Sequence, residues 1–188
     1  MVKKPHVRTL VLTLTFALLG SAAAAQEHDP DIRSLSAIAN AGQVSVRFNL
    51  INAFADHDLL RELQSGLPTS FGYIVEIFHD RPRWWDEGIS RTRIEVVATF
   101  NSVTREYLLN YRRDRKLVRS ETFNELESLE RRMTSIDEPN LFAIGSRRPY
   151  KLKVRVKADF GRVFLFYIFP SSNSTRWREV RVASESKP

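Results

Sequence analysis

Apolar residues recur at every second position along most of the chain. Val44, Val46, Phe48 and Leu50 alternate with Ser45, Arg47 and Asn49, which puts the apolar side chains on one face of a strand. Residues 32–39 form a weaker run before it, and Asn40-Ala41-Gly42 supplies turn chemistry, so the two segments are expected to pair as a hairpin. Residues 70–79 are apolar on both faces, with Phe71, Tyr73, Val75 and Ile77 on one and Ile74 and Phe78 on the other, as a central strand requires. Thr92, Ile94, Val96, Ala98 and Phe100 alternate with polar neighbours, as do Tyr107, Leu109 and Tyr111; both runs fit antiparallel strands with one wet face. Asp114-Arg115-Lys116 turns the chain into residues 117–120. Tyr150, Leu152, Val154 and Val156 repeat the pattern, and residues 163–169 and 177–182 complete it.

Two segments follow a helical period instead. Over residues 56–65, Leu59, Leu60 and Leu63 share one stripe, with Asp56 as a cap and Gly66 at the position that ends helices. Thr122-Phe123-Asn124-Glu125 has the Thr-x-x-Glu spacing of a capping box. Leu126, Leu129, Met133 and Ile136 then recur at three and four residues, and Pro139 marks the exit of this second helix. The expected fold is mainly β: an antiparallel β-sandwich with two short connecting α-helices. Neither an internal repeat nor a low-complexity linker divides residues 26–188, which read as one domain with loose ends at 26–31 and 183–188.

The first twenty-five residues read differently. Lys3, Lys4 and Arg8 precede the apolar run 10–19, and Gly20-Ser21-Ala22-Ala23-Ala24-Ala25 follows, which is the anatomy of a cleavable secretory leader with its cut before Gln26. The run is roughly half of the ~20 residues that a membrane span needs, so no stable anchor is expected after cleavage. The chain has no cysteine, which removes a lipid-modified amino terminus, disulfides and thiolate metal sites. Export, to the periplasm, also changes the meaning of the charge. The chain carries +7; losing Lys3, Lys4 and Arg8 with no acid lowers it to +4. The remaining bases are spread over strands, at Arg91 and Arg93, at 112–116, at Arg147 and Arg148, and at Lys151, Lys153, Arg155 and Lys157. A solvated basic sheet face accounts for that spacing, and no nucleic-acid partner is expected; contact with anionic lipid headgroups or acidic envelope polymers is the sharper alternative.

No catalytic residue stands out. His28, His57 and His79 are separated and lack the spacing that puts two imidazoles on one helix face for zinc, so neither a metal nor a cofactor is expected. His57 between Asp56 and Asp58 has carboxylates to orient it but no recognisable nucleophile. Asp86 and Glu87 are adjacent and would point apart on a strand, a poor arrangement for an acid–base pair. The binding candidates are Arg81, Arg83, Trp84, Trp85 and Asp86, because paired tryptophans in a charged rim suit a sugar or a protein partner. The bland alternative is a loop stapled to the sandwich with one tryptophan buried. The run 164–169 reads as a buried strand or, alternatively, an edge for a partner's sheet.

Several motifs in order carry a resemblance. Leu60-Arg61-Glu62-Leu63-Gln64-Ser65-Gly66-Leu67-Pro68 leads into the aromatic strand, Arg81-Pro82-Arg83-Trp84-Trp85-Asp86 follows, and Phe100-Asn101-Ser102-Val103-Thr104-Arg105-Glu106-Tyr107 and Tyr150-Lys151-Leu152-Lys153-Val154-Arg155-Val156 come later. Together they resemble the bacterial exported family catalogued as domain of unknown function 4390, over roughly residues 44–156. The resemblance implies an envelope protein with no catalytic residues to carry over. The leading expectation is a non-enzymatic accessory or protein-interaction module, whose partner is an envelope protein or a membrane-bound signalling or assembly component. A binding module for an envelope glycan or another anionic ligand comes second, and an unrecognised hydrolase last. Tryptophans in a groove favour the glycan, whereas an open sheet edge favours a protein.

Overall fold

The computed structural model describes residues 29–55, 57–80, 87–162 and 173–184. The expected leader, residues 1–25, lies outside that set. Strands β1 (Asp31–Asn40) and β2 (Gln43–Ile51) form the anticipated hairpin. Ala41 and Gly42 make its two-residue turn with φ of 48° and 77°, the doubly left-handed geometry whose twist matches the flanking strands. Space at Gly42 is also tight, since a Cβ there would sit 3.2 Å from the carbonyl oxygen of Gly145.

Helix α1 (His57–Gln64) ends where Gly66 takes φ 87°. The Gly66 and Leu67 N–H groups donate back to the carbonyls of Leu63 and Glu62 at 3.0 and 3.2 Å, satisfying acceptors that the helix end leaves orphaned. Its one fully buried leucine, Leu63, enters the core. Asp56, the expected cap, lies outside the described residues.

Strand β3 (Thr69–His79) is central, as its two apolar faces require. It pairs with β4 (Glu87–Asn101) on one side and β8 (Leu152–Arg162) on the other, both antiparallel. Beyond β4 lie β5 (Glu106–Arg113) and β6 (Lys116–Phe123), and beyond β8 lies β10 (Arg178–Arg181), with the two-residue β9 (Asn173–Ser174) also on β8. A single 3-10 turn, Pro149–Lys151, leads into β8, so the alternation starts at Leu152 rather than Tyr150. The strand expected at 163–169 lies outside the described residues. The second sheet has the order β11 (Ala183–Ser184), β1, β2, β7 (Ser135–Ala143).

The second helix corrects the sequence reading. Helix α2 spans only Leu126–Thr134, and Ile136 belongs to β7, paired with Phe48 of β2. Leu129, Met133 and Ile136 satisfy a helical spacing, but Ile136 and Glu138 are both buried at period two, and the β2 ladder decides between the periods. Pro139 therefore lies inside a strand rather than marking a helix exit, which is tolerated because β7 is an edge and needs no N–H there. The capping box also fails. Thr122 pairs with Leu108 in the β5–β6 ladder, and the N-cap is Glu125, with no side-chain capping bond.

The two sheets face each other across one core, which makes the described residues a β-sandwich. Phe48 of β2 meets Tyr73 of β3 edge to face at 5.3 Å, and the Tyr73 hydroxyl donates to the Met133 carbonyl of α2 at 2.7 Å. The small sheet runs out before the large one does. Helix α2 fills the shortfall, placing buried Leu129 and Met133 against the inner side of β5 and β6. At the opposite flank the chain changes sheets: β10 belongs to the large sheet, Val182 is buried, and β11 joins the small sheet parallel to β1.

That flank is clamped by a bidentate pair. Arg178 Nε and Nη2 donate to the two carboxylate oxygens of Asp31 at 3.0 and 2.6 Å, tying β10 to β1. The hydrogen bonds from Arg178 hold the Asp31 carboxyl below its usual value, against a partial desolvation that pushes the other way. A depressed carboxylate contributes stability that is complete above its unfolded pKa and is lost as the pH falls through its lowered folded value. Asp31→Asn is therefore expected to be less stable than wild type near neutrality and to show a shallower loss of stability on acidification, read by urea titration at a series of pH values. Parallel acid limbs would exclude Asp31 from the titration.

Candidate interaction surfaces

The five residues singled out in the sequence, Arg81, Arg83, Trp84, Trp85 and Asp86, lie outside the described residues. Their anchor points are described. His79 pairs with Glu87 across the β3–β4 hairpin, and the Asp80 N–H donates to the Lys151 carbonyl at 2.9 Å. Next to this hairpin is a shallow cleft of about 310 Å³ lined by Glu76, Phe78, Ile89, Arg91 and Arg155. Glu76 serves two guanidinium groups, accepting from Arg155 Nε at 2.6 Å and pairing with Arg91 at 3.5 Å. Arg155 also stacks on Trp177 at 4.7 Å and lies 5.4 Å from the Phe78 ring. Reading the sequence missed this stack. Arg155 looked like one basic residue of an alternating strand, and its link to Glu76 depends on a register between segments 79 residues apart.

The rest of the outer face of the large sheet is a charge lattice. Arg93 and Lys157 both pair with Asp159 at 3.6 Å, Arg112 pairs with Glu95 at 3.7 Å, and Lys153 bridges Asp80 and Glu179 at 3.2 Å each. Basic residues that look excessive within one strand thus meet acids on neighbouring strands. Exposed pairs of this kind contribute about 0–1 kcal/mol each. Their long stems matter more, because Ile74 and Phe78 point outward from β3 yet are buried beneath them. One stem lies so close that a Cβ on Gly72 would come within 2.6 Å of Arg93 Nη2.

Two sheet edges differ in how open they are. On β7, Pro139 removes a donor, Asn140 takes φ 53°, and the ladder to β2 shifts register between Val44 and Val46; each feature blunts an edge. On β6, by contrast, seven of the eight residues pair with β5, Val118 sits at a bulge in that ladder, and among the described residues no strand lies beyond it; Leu117 and Val118 are 60% and 49% exposed. Leu108 on the neighbouring strand is 42% exposed. The turn into β6 is basic: no carboxylate is paired with Arg115 or Lys116 among the described residues, whereas Arg119 and Arg132 both hold Glu121. This edge was not singled out in the sequence. The turn at 114–116 predicts a returning segment at 117–120 but not that its strand is last in its sheet.

Of the histidines beyond the expected leader, His28 lies outside the described residues. Helix α1, which His57 opens, packs on β3 and β4, and His79 closes β3, a strand of 11 residues that spans roughly 30 Å at the ~3.3 Å rise of a strand residue. Among the described residues no three His, Asp or Glu side chains group to hold a metal ion, and no helix is long and apolar enough to cross a membrane.

The described residues thus define a two-sheet antiparallel β-sandwich with an open edge and a charge-paired outer face. The chain belongs to the family described as Domain of unknown function (DUF4390), which matches residues 27–163. Searches of curated proteins and of solved structures found no match.

Proposed function

We propose that this is an exported envelope protein that acts without catalysis, as an accessory module that binds a protein partner through the β6 edge. The observation that carries this reading is the exposure of Leu117 and Val118 on β6, the last strand of the large sheet among the described residues. An added strand gains main-chain hydrogen bonds along such an edge, and apolar rim residues then lose water contact. Arg115 and Lys116 select an extended segment with acidic side chains. The leader at 1–25 supports an envelope compartment, and the paired charges of the outer face leave few free cations for a glycan or polyanion there. Trp84 and Trp85, with Arg81, Arg83 and Asp86, add a second contact on residue chemistry alone.

The test is crosslinking in intact cells followed by identification of the captured protein. The double variant Leu117→Glu/Val118→Glu is expected to lose the captured partner while its stability changes by about 0.5 kcal/mol or less, as for other exposed positions. Undiminished capture of the same partner would remove β6 from the interface.

A further inference from the structure

We infer that the segment 145–151 is a second docking surface, one that places this end of the sandwich on an anionic lipid surface. It extends the envelope reading above but uses different residues from the β6 edge. Arg147, Arg148 and Lys151 are all exposed, and no carboxylate is paired with any of them among the described residues. This sets them apart from the outer sheet face, where Arg91, Arg93, Arg112 and Arg155 each have an acid. Two acids on adjoining elements are engaged elsewhere: Asp80 holds Lys153 and Arg181, and Glu179 holds Lys153.

The segment is held in place rather than loose. Ile144 and Gly145 N–H groups donate to the Gly42 carbonyl at 2.9 and 3.2 Å, and at the other end Lys151 accepts from the Asp80 N–H at 2.9 Å. Within it the Arg147 N–H donates to the Ile144 carbonyl at 3.1 Å, and the 3-10 turn closes when the Lys151 N–H donates to Arg148. Tyr150 stands 61% exposed on that turn, and Arg148 Nη1 donates to its hydroxyl at 3.1 Å. An aromatic ring with a polar tip, flanked by three cations that have no acid partner among the described residues and held on a hydrogen-bonded turn, matches the headgroup layer of a bilayer. The guanidinium and ammonium groups meet phosphates, and the ring enters the boundary between headgroup and acyl chain.

The test uses the full chain with phosphatidylcholine vesicles that either contain or lack phosphatidylglycerol. Two readouts are taken: the partition of protein into the vesicle pellet, and the reactivity of Lys151 toward acetylation, with Lys116 as an internal control. The second readout is local, so any contribution from the apolar run at 10–19 does not mimic it. Phosphatidylglycerol vesicles are expected to protect Lys151 but not Lys116, and high salt to abolish the protection. The salt-sensitive part of the partition is expected to fall on the order of 100-fold in Arg147→Ala/Arg148→Ala/Lys151→Ala, since each cation near an anionic surface contributes about fivefold. Unchanged Lys151 reactivity on bound vesicles would overturn the proposal. So would equal protection by duplex DNA, which would make the segment a general polyanion contact. Neither result bears on capture at β6, so the two surfaces stand or fall separately.

Discussion

Phe48→Ala is expected to cost about 3–5 kcal/mol, read by urea or thermal unfolding, because the deletion opens a cavity at the meeting point of the two sheets. Phe48 is fully buried on β2, and its ring contacts Tyr73 of β3 edge to face at 5.3 Å. The aromatic geometry adds about 0.5–1.5 kcal/mol to what apolar burial alone contributes. Relaxation is limited, since Tyr73 is itself tied by its hydroxyl to the Met133 carbonyl at 2.7 Å and cannot follow the void without breaking that bond. For a domain of this size the melting temperature would drop by about 6–20 °C. A loss below about 1 kcal/mol would mean that the sheets are held together elsewhere.

Glu138→Ala is expected to cost about 2–3 kcal/mol through loss of a charge-assisted hydrogen bond in a dry site. Glu138 projects from β7 and is only 5% exposed. It accepts from the Tyr111 hydroxyl of β5 at 2.6 Å and pairs with Arg113 at 3.2 Å, so it links the small sheet to the large one by polar contacts. Arg113 is partly solvated and loses little when its partner goes. Tyr111 is the costly one. Burial, and then the neighbouring carboxylate, push its hydroxyl well above its ordinary range, so it remains a protonated donor with no water to turn to. Glu138→Gln keeps the shape and an acceptor, and is expected to recover at least half of the loss. Equal losses in the two variants would point to the negative charge rather than to volume or a neutral acceptor.

The same pair shows why parts of the fold were readable and others not. Tyr111 alternates with Leu109 and Tyr107, and that spacing alone identified its strand and its inward face. Glu138 follows Ile136 by two in a stretch that also carries a proline, and nothing local to it signals burial. Its place depends on β2, far away in the chain, which supplies the ladder that turns 135–143 into a strand. Thr122 and Glu125 illustrate the reverse error: the capping spacing is present, but Thr122 is already committed to Leu108 across the ladder, and tertiary pairing outweighs a local cap. Gly66 was read correctly because its role is local, a left-handed residue three hydrogen-bonded positions beyond the last buried leucine.

The surfaces divide in the same way. Arg155 and Glu76 are unremarkable in sequence and become a stacked, paired site only through the β3–β8 register. Leu117 and Val118 look like any apolar pair after a turn until β6 proves to be last in its sheet among the described residues. By itself the sequence determined what short-range physics controls: the alternating strands, the turns at 40–42 and 114–116, the stop at Gly66, the family, and the antiparallel sandwich class. Only the tertiary structure decided the strand order, the strand at 135–143, the neutralisation of the basic outer face, and which edge and which cations stay uncompensated. Those depend on contacts between residues tens of positions apart. A period of two or 3.6 records which way a side chain points, not what it will meet.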